Sequence, residues 1–91
     1  MRRLVYTTKF KKDYRKYLHK PKHLEALNGI LRKLEKGEPI PPENDPHKLH
    51  GVFEGCMECH VLSDLLLIWI DNRTDTVWLE RLGTHHELFG L

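Results

Sequence analysis

The sequence has no apolar run long enough to cross a bilayer. Its longest, Leu65 to Ile70, is six residues, against the ~20 that a spanning helix needs. Its opening, from Met1 to Tyr6, lacks the apolar stretch of a secretory signal. The expected compartment is therefore the cytoplasm, with no membrane partner. Cysteine is scarce: two among 91 residues, both expected to be reduced there. Also missing are the phosphate-cradling P-loop and the G-x-G-x-x-G, G-x-S-x-G and H-E-x-x-H motifs, which sets aside the chemistries those motifs carry. There is no internal repeat. A chain this short forms one domain and hides only roughly 60–65% of its unfolded surface. An active site should then be a shallow surface cleft, which suits a long polymer better than an engulfed small molecule.

What is present is unevenly placed. The net charge is +2, but residues 1–36 hold twelve Lys/Arg and three Asp/Glu. Residues 37–91 hold three Lys/Arg and ten Asp/Glu. The basic half fits an anionic partner. The plainer alternative is two helices with solvated outer faces.

Arg3 to Thr7 reads as a strand, with Thr8 as the N-cap of a first helix. Phe10, Tyr14, Tyr17 and Leu18 fall on one face of that helix. Pro21 opens a second helix, with Leu24, Leu27, Ile30, Leu31 and Leu34 as its stripe and Gly37 as its stop. Residues 38–46 carry four prolines, which remove backbone donors and fix φ, so this is a surface linker. Three strands come next: Phe53 to Val61, Leu65 to Asp71 and Thr76 to Leu82. The turn-prone pair Ser63-Asp64 and the run Asn72 to Asp75 join them as an antiparallel meander. Leu65 to Ile70 is apolar at every position, which predicts a central strand covered on both faces. Thr84 to Leu91 is a short tail with a helical turn. The expected fold class is α+β, in the order β-α-α-β-β-β, with a small twisted, mostly antiparallel sheet and an α-hairpin packed on one face.

Five of the seven histidines (His47, His50, His60, His85, His86) lie in the second half, each at the end of an expected element. Rigid elements present such side chains to solvent. Imidazoles titrate near neutrality, so two of them can serve as general base and general acid at one pH. Cleaving RNA needs that pair: one group takes the proton of the attacking 2′-hydroxyl, the other protonates the departing 5′-oxygen. Arg81 is a cation placed to stabilise the phosphoryl oxygens. No metal ion and no cofactor is required. Scattered surface histidines are the plain alternative. Trp69 and Trp78 fall on expected strands and read as core.

Cys56-Met57-Glu58-Cys59-His60 offers two thiols and an imidazole, the makings of a zinc site. Within a strand, however, residues three apart point to opposite faces. The same run spells C-x-x-C-H, the attachment pattern of c-type haem. Export is not expected, and the sole methionines, Met1 and Met57, supply no axial ligand. Two buried reduced thiols are the preferred reading.

Several ordered motifs carry a resemblance. They are His47-Lys48-Leu49-His50-Gly51, then Gly55, His60-Val61-Leu62-Ser63-Asp64, Leu67-Ile68-Trp69, Glu80 through His85, and Leu88-Phe89-Gly90. In this order they resemble the YafQ branch of the RelE/ParE toxin superfamily, over residues 47–90, with the first half similar in its β-α-α layout and basic helices. The resemblance implies one RelE/ParE-like toxin domain over residues 1–91. It also implies a type II toxin–antitoxin toxin that cuts mRNA in the ribosomal A site and arrests translation. The implied partner is a DinJ- or RelB-like antitoxin, with operator DNA reached only through that antitoxin. The implied catalytic positions are His47, His60, Asp64, His85 and Phe89. His85 leads the acid/base work with His60 as partner or phosphate ligand, and His47 shares it. Asp64 accepts a proton or orients a histidine, and Phe89 stacks on a base. Arg81 matches a phosphate-contacting arginine, and Lys9, Lys11 and Lys12 are expected to help hold the RNA. One departure stands out: Met57 falls in a run where the family often has an arginine.

Two other functions fit the same fold. One is a ParE-like module that binds gyrase without nuclease chemistry. The other is a catalytically weakened toxin kept as an interaction protein. The histidine cluster favours RNA cleavage, because a pure binding module has no need of several titrating groups at one edge.

Overall fold

The computed structural model describes residues 1–71 and 75–90. Strand β1 (Arg3–Tyr6) leads into helix α1 (Thr8–Tyr14), a 3-10 turn (Arg15–Tyr17) and helix α2 (Pro21–Lys36). After the proline-rich segment come β2 (His47–Lys48), β3 (Met57–Leu62), β4 (Leu65–Asp71), β5 (Thr76–Gly83) and the short helix α3 (His85–Phe89). The five strands form one sheet in the order β1-β5-β4-β3-β2. β1 runs parallel to β5, and the other pairs are antiparallel. The expected α+β architecture is present, with the helical turn of the tail as α3, and is extended by β2.

Local chemistry explains the helix ends. Thr7, not Thr8, caps α1: its hydroxyl accepts the Phe10 N–H at 3.1 Å. The same hydroxyl donates to the Leu79 carbonyl at 2.8 Å, so tertiary pairing selects which threonine caps. Pro21 opens α2 and Gly37 ends it at φ 72°, a left-handed conformation that favours glycine. The Glu38 N–H then reaches the Lys33 carbonyl at 2.9 Å.

β4 occupies the middle of the sheet, and its alternate side chains enter two cores. Leu65, Leu67 and Trp69 pack with Phe10, Leu27, Ile30 and Leu34 under the helices. Leu66 and Ile68 pack on the other face with Cys56 and Leu88, edged by Phe53 and Phe89. That double burial is why the segment carries no polar residue. Burying each such side chain is worth about 1.5–3 kcal/mol.

The sequence expectations need three further corrections. The strand expected from Phe53 begins at Met57, because Gly51–Phe53 is a 3-10 turn. Gly51 (φ 75°), its first residue, and Gly55 (φ 91°), two residues past its end, take left-handed conformations. His47 and Lys48, to which the sequence assigned no element, form an edge strand on β3. Trp78 is 39% exposed on β5, on the opposite side of the strand from buried Val77 and Leu79, so it is not core. Residues 72–74 of the turn expected from Asn72 to Asp75, and the last residue, Leu91, lie outside the described residues.

Candidate active site

His60, His85 and Phe89 meet at one end of the second sheet face. β3 presents His60 beside a register shift between His60 and Leu62. α3 presents His85 and Phe89, four residues apart and therefore on one helical face. The ring centroids of His60 and His85 are 5.9 Å apart, and those of His85 and Phe89 are 6.0 Å apart. Phe53 meets Phe89 edge-on at 5.5 Å. His85 is exposed, and no hydrogen bond fixes its ring among the described residues.

α3 itself is firmly held. Thr84 and Glu87 form a reciprocal capping box: the Glu87 N–H reaches the Thr84 hydroxyl at 3.1 Å, and the Thr84 N–H reaches the Glu87 carboxylate at 2.9 Å. Tyr17 Oη donates to Glu87 at 3.2 Å, and Lys16 Nζ lies 3.4 Å away. These donors, led by Thr84, hold the Glu87 carboxyl below its ordinary value. Burial first, and Glu87 second, push the Tyr17 phenol up to about 12. Gly83 permits the approach, since a Cβ there would lie 2.9 Å from Glu87 Oε1.

His47 takes a different place. Its Nδ1 lies 2.7 Å from the Asp45 carbonyl, and its Nε2 lies 3.0 Å from Oε1 of buried Glu58. The Asp45 carboxylate sits 4.0 Å from His60 Nε2. The side-chain amide of Asn44 donates to the His60 carbonyl at 2.7 Å. The proline segment thus carries Asp45 and Asn44 to His60, with His47 as its fastening.

Asp64, at the turn between β3 and β4, has its nearest ionic partner in His23 of α2, at 3.9 Å. The His23 ring stacks on Tyr17 at 5.6 Å. Arg81 lines a cleft of about 400 Å³ with Lys9, Val52, Phe53, Glu80, Leu88 and Phe89. It also borders a second cleft, shared with Lys9, Lys12, Asp13 and Lys16. Its guanidinium is paired with Asp13, at 2.6 and 3.2 Å, and that hydrogen bonding strengthens its hold on its proton. Lys9 and Lys12 therefore adjoin Arg81. Lys11 faces another groove, with Tyr6, Phe10, Tyr14 and Arg15.

The sequence reading brought forward His60, His85, Phe89, Arg81, Lys9 and Lys12, and the structure gathers these along one side. It missed Asp45, Glu58, Phe53, Tyr17, Glu87 and His23. A faint signal existed for Glu87, since Thr84-x-x-Glu87 spells a capping box. Cys56 and Cys59 enter the two opposite cores, so they do not converge on one ion. Burial raises both thiols, Cys59 to about 12 with Glu58 as the second cause.

Comparison with known proteins matches this layout. A family model described as the bacterial toxin of a type II toxin–antitoxin system, YafQ, covers residues 2–90. The mRNA interferase toxin YafQ of Escherichia coli is 31% identical over 98% of this chain and 97% of its own length. A Haemophilus influenzae relative described as a putative YafQ toxin is 30% identical over 72% of this chain, and the match spans 64% of that relative. The crystal structure of E. coli YafQ superposes with TM-score 0.89 at 27% identity, covering 99% of this chain and all of that one. YafQ in its DinJ complex gives 0.86 at 28% over the same coverage. A copper-bound mutant toxin from Helicobacter pylori gives 0.87 at 35%, over 98% of this chain and all of that one.

The mixed five-stranded sheet, the α-hairpin and the histidine-lined edge define a small α+β toxin of the type II toxin–antitoxin class. Within that class, the chain belongs to the YafQ family.

Proposed function

We propose that the chain is an endoribonuclease that cuts mRNA on the ribosome, with His60 and His85 as its proton-transfer pair. The observation that carries this is the 5.9 Å separation of those two rings beside Phe89. Imidazoles so spaced flank a single phosphodiester. One removes the proton of the 2′-hydroxyl, whose oxygen attacks phosphorus. The bond to the 5′-oxygen breaks, and the other imidazole protonates that oxygen. The products are a 2′,3′-cyclic phosphate and a 5′-hydroxyl, and neither proton transfer needs a metal ion.

With no hydrogen bond holding its ring among the described residues, His85 is the leading acid/base group, and His60 is its partner. Phe89, backed by Phe53, stacks on a base next to the cut. Arg81, Lys9 and Lys12 line the approach for the phosphates, and Lys11 reaches RNA only from the far side of α1. His47 serves the site through the Asp45 segment. Asp64, paired with His23, orients rather than transfers protons. Residues 1–91 act as one toxin domain in the cytoplasm. The solved DinJ–YafQ complex of E. coli supports a DinJ-like antitoxin as the natural inhibitor.

The test is induced expression of wild type and His85→Ala, with mRNA 5′ ends mapped. New 5′-hydroxyl ends inside coding regions, absent in the variant, are expected. Arrested growth with intact mRNA and inhibited gyrase would favour the gyrase-binding alternative instead.

A further inference from the structure

β5 carries an irregularity that plays no part in the proposed proton transfers. Ile68 pairs with Arg81 and Trp69 with Leu79, so Glu80 is the extra residue of a β-bulge. Side chains three apart on a regular strand point to opposite faces, yet Leu79 and Leu82 both enter the core under the helices. The bulge allows this, and it turns Glu80 and Arg81 together toward the other face. Thr7 braces it: the hydroxyl that donates to the Leu79 carbonyl at 2.8 Å also lies 3.3 Å from the Glu80 carbonyl. Bulges are frequent beside functional sites, where they re-aim a side chain.

The re-aimed carboxylate borders the cleft that Phe53, Phe89, Lys9 and Arg81 line. Glu80 is half-buried, and no hydrogen bond or ion pair engages its carboxylate among the described residues. Its charge is felt at Cys56, on the same face, whose thiol is raised by burial first and by Glu80 second. Arg81 differs, because Asp13 already holds its guanidinium. The cleft therefore joins an aromatic wall, Phe89 edge-on to Phe53, to an unengaged acceptor. Lys9, in the same cleft, offsets the repulsion between that acceptor and a phosphate. Phe89 also lies against His85, at 6.0 Å, so a base in this cleft belongs to a nucleotide at the cut.

An ionised carboxylate only accepts hydrogen bonds. Adenine, cytosine and guanine each offer an exocyclic amino group to such an acceptor. Uracil has none: its ring N–H sits between two carbonyl oxygens, which a carboxylate repels. We infer that Glu80 is a specificity-determining residue: it accepts from the amino group of the base held against Phe89, and so favours amino-bearing bases next to the cut over uracil. The inference takes from the proposed ribonuclease function that Phe89 stacks on a base. Selection of that base can be measured without cleavage.

Two readouts test it. The first titrates the isolated protein with CMP and UMP, which stack alike and differ at the amino edge, and follows the amide NMR signals of Phe53, Glu80 and Phe89. AMP and its analogue lacking the amino group form a second pair. The amino-bearing member of each pair should bind roughly fivefold or more tightly. Glu80→Gln, whose amide both donates and accepts, should bring the members of each pair within about twofold of each other. The second readout is ribosome-programmed cleavage of messages that differ only in cytosine or uracil at each position flanking the cut. The kcat/KM ratio should favour cytosine at one of these positions, and Glu80→Gln should shrink that ratio rather than lower both values alike. Equal binding of CMP and UMP by wild type overturns the inference, as does no binding of either, or an unchanged preference in Glu80→Gln. The wild-type comparison decides even if the variant fails to fold. Base selection by a chain that cuts no mRNA would sink the ribonuclease reading and leave the base subsite standing.

Discussion

Arg81 and His85 both border the proposed RNA path, but they differ in how they are held. Arg81 is bound to Asp13, whose remaining acceptor capacity takes the buried Leu82 N–H at 2.9 Å. Removing Asp13 strands both donors. Asp13→Ala should therefore cost about 3–5 kcal/mol, measured as a lower urea midpoint, while Asp13→Asn, which keeps an acceptor, should cost less. His85 is exposed, and among the described residues its side chain makes ring contacts only. His85→Ala should leave the unfolding free energy within about 0.5 kcal/mol of wild type while slowing cleavage by roughly 10²–10⁴-fold. A large stability loss in that variant would mean the ring packs rather than reacts.

At the scale of elements, α3 depends on a carboxylate. Glu87 closes the capping box and receives Tyr17 and Lys16. Its folded pKa is depressed below 4.5. Its contribution is therefore present above that value and is lost as pH falls through the lower folded one. Tyr17 has the opposite sign. Its pKa rises from 10.0 to about 12, so its contribution is present below pH 10.0 and fades as pH climbs toward the folded value. α3 should hold firmly between these limits. Near-ultraviolet and histidine NMR signals should report loosening at both ends, and Glu87→Gln should abolish the acid limb. An acid limb unchanged in Glu87→Gln would place the titrating group elsewhere.

Elements governed by near neighbours were legible in the sequence. Pro21 and Gly37 bracket α2 as expected, and Leu65 to Ile70 is the central strand because only double burial tolerates six apolar residues in a row. Positions that depend on long-range register were not legible. Thr7 and Thr8 are equivalent as caps until β5 supplies the Leu79 carbonyl. β2 exists because two residues after the proline segment reach β3. His47 meets Glu58, and Asp64 meets His23, through pairings that no spacing reveals. Histidines at element ends were readable, whereas their partners were not.

Taken whole, the molecule sets a basic α-hairpin against a more acidic sheet half, as the split of charge along the chain anticipates. If Arg81, Lys9 and Lys12 meet phosphates, binding to single-stranded RNA should weaken with salt. The log–log slope should be about −0.7 per phosphate contact, shallower in Lys9→Gln/Lys12→Gln and unchanged in Lys11→Gln. Chelation of divalent cations should leave the cleavage step intact once ribosome integrity is controlled for, because the proton transfers rest on imidazoles. The most direct measurement is the mapping of mRNA 5′ ends after induction of wild type and His85→Ala. New 5′-hydroxyl ends within translated regions in wild type, absent in the variant, are the predicted result. Intact mRNA under wild-type induction, or the same ends in both, would contradict the assignment of this cleft as a histidine-driven ribonuclease site.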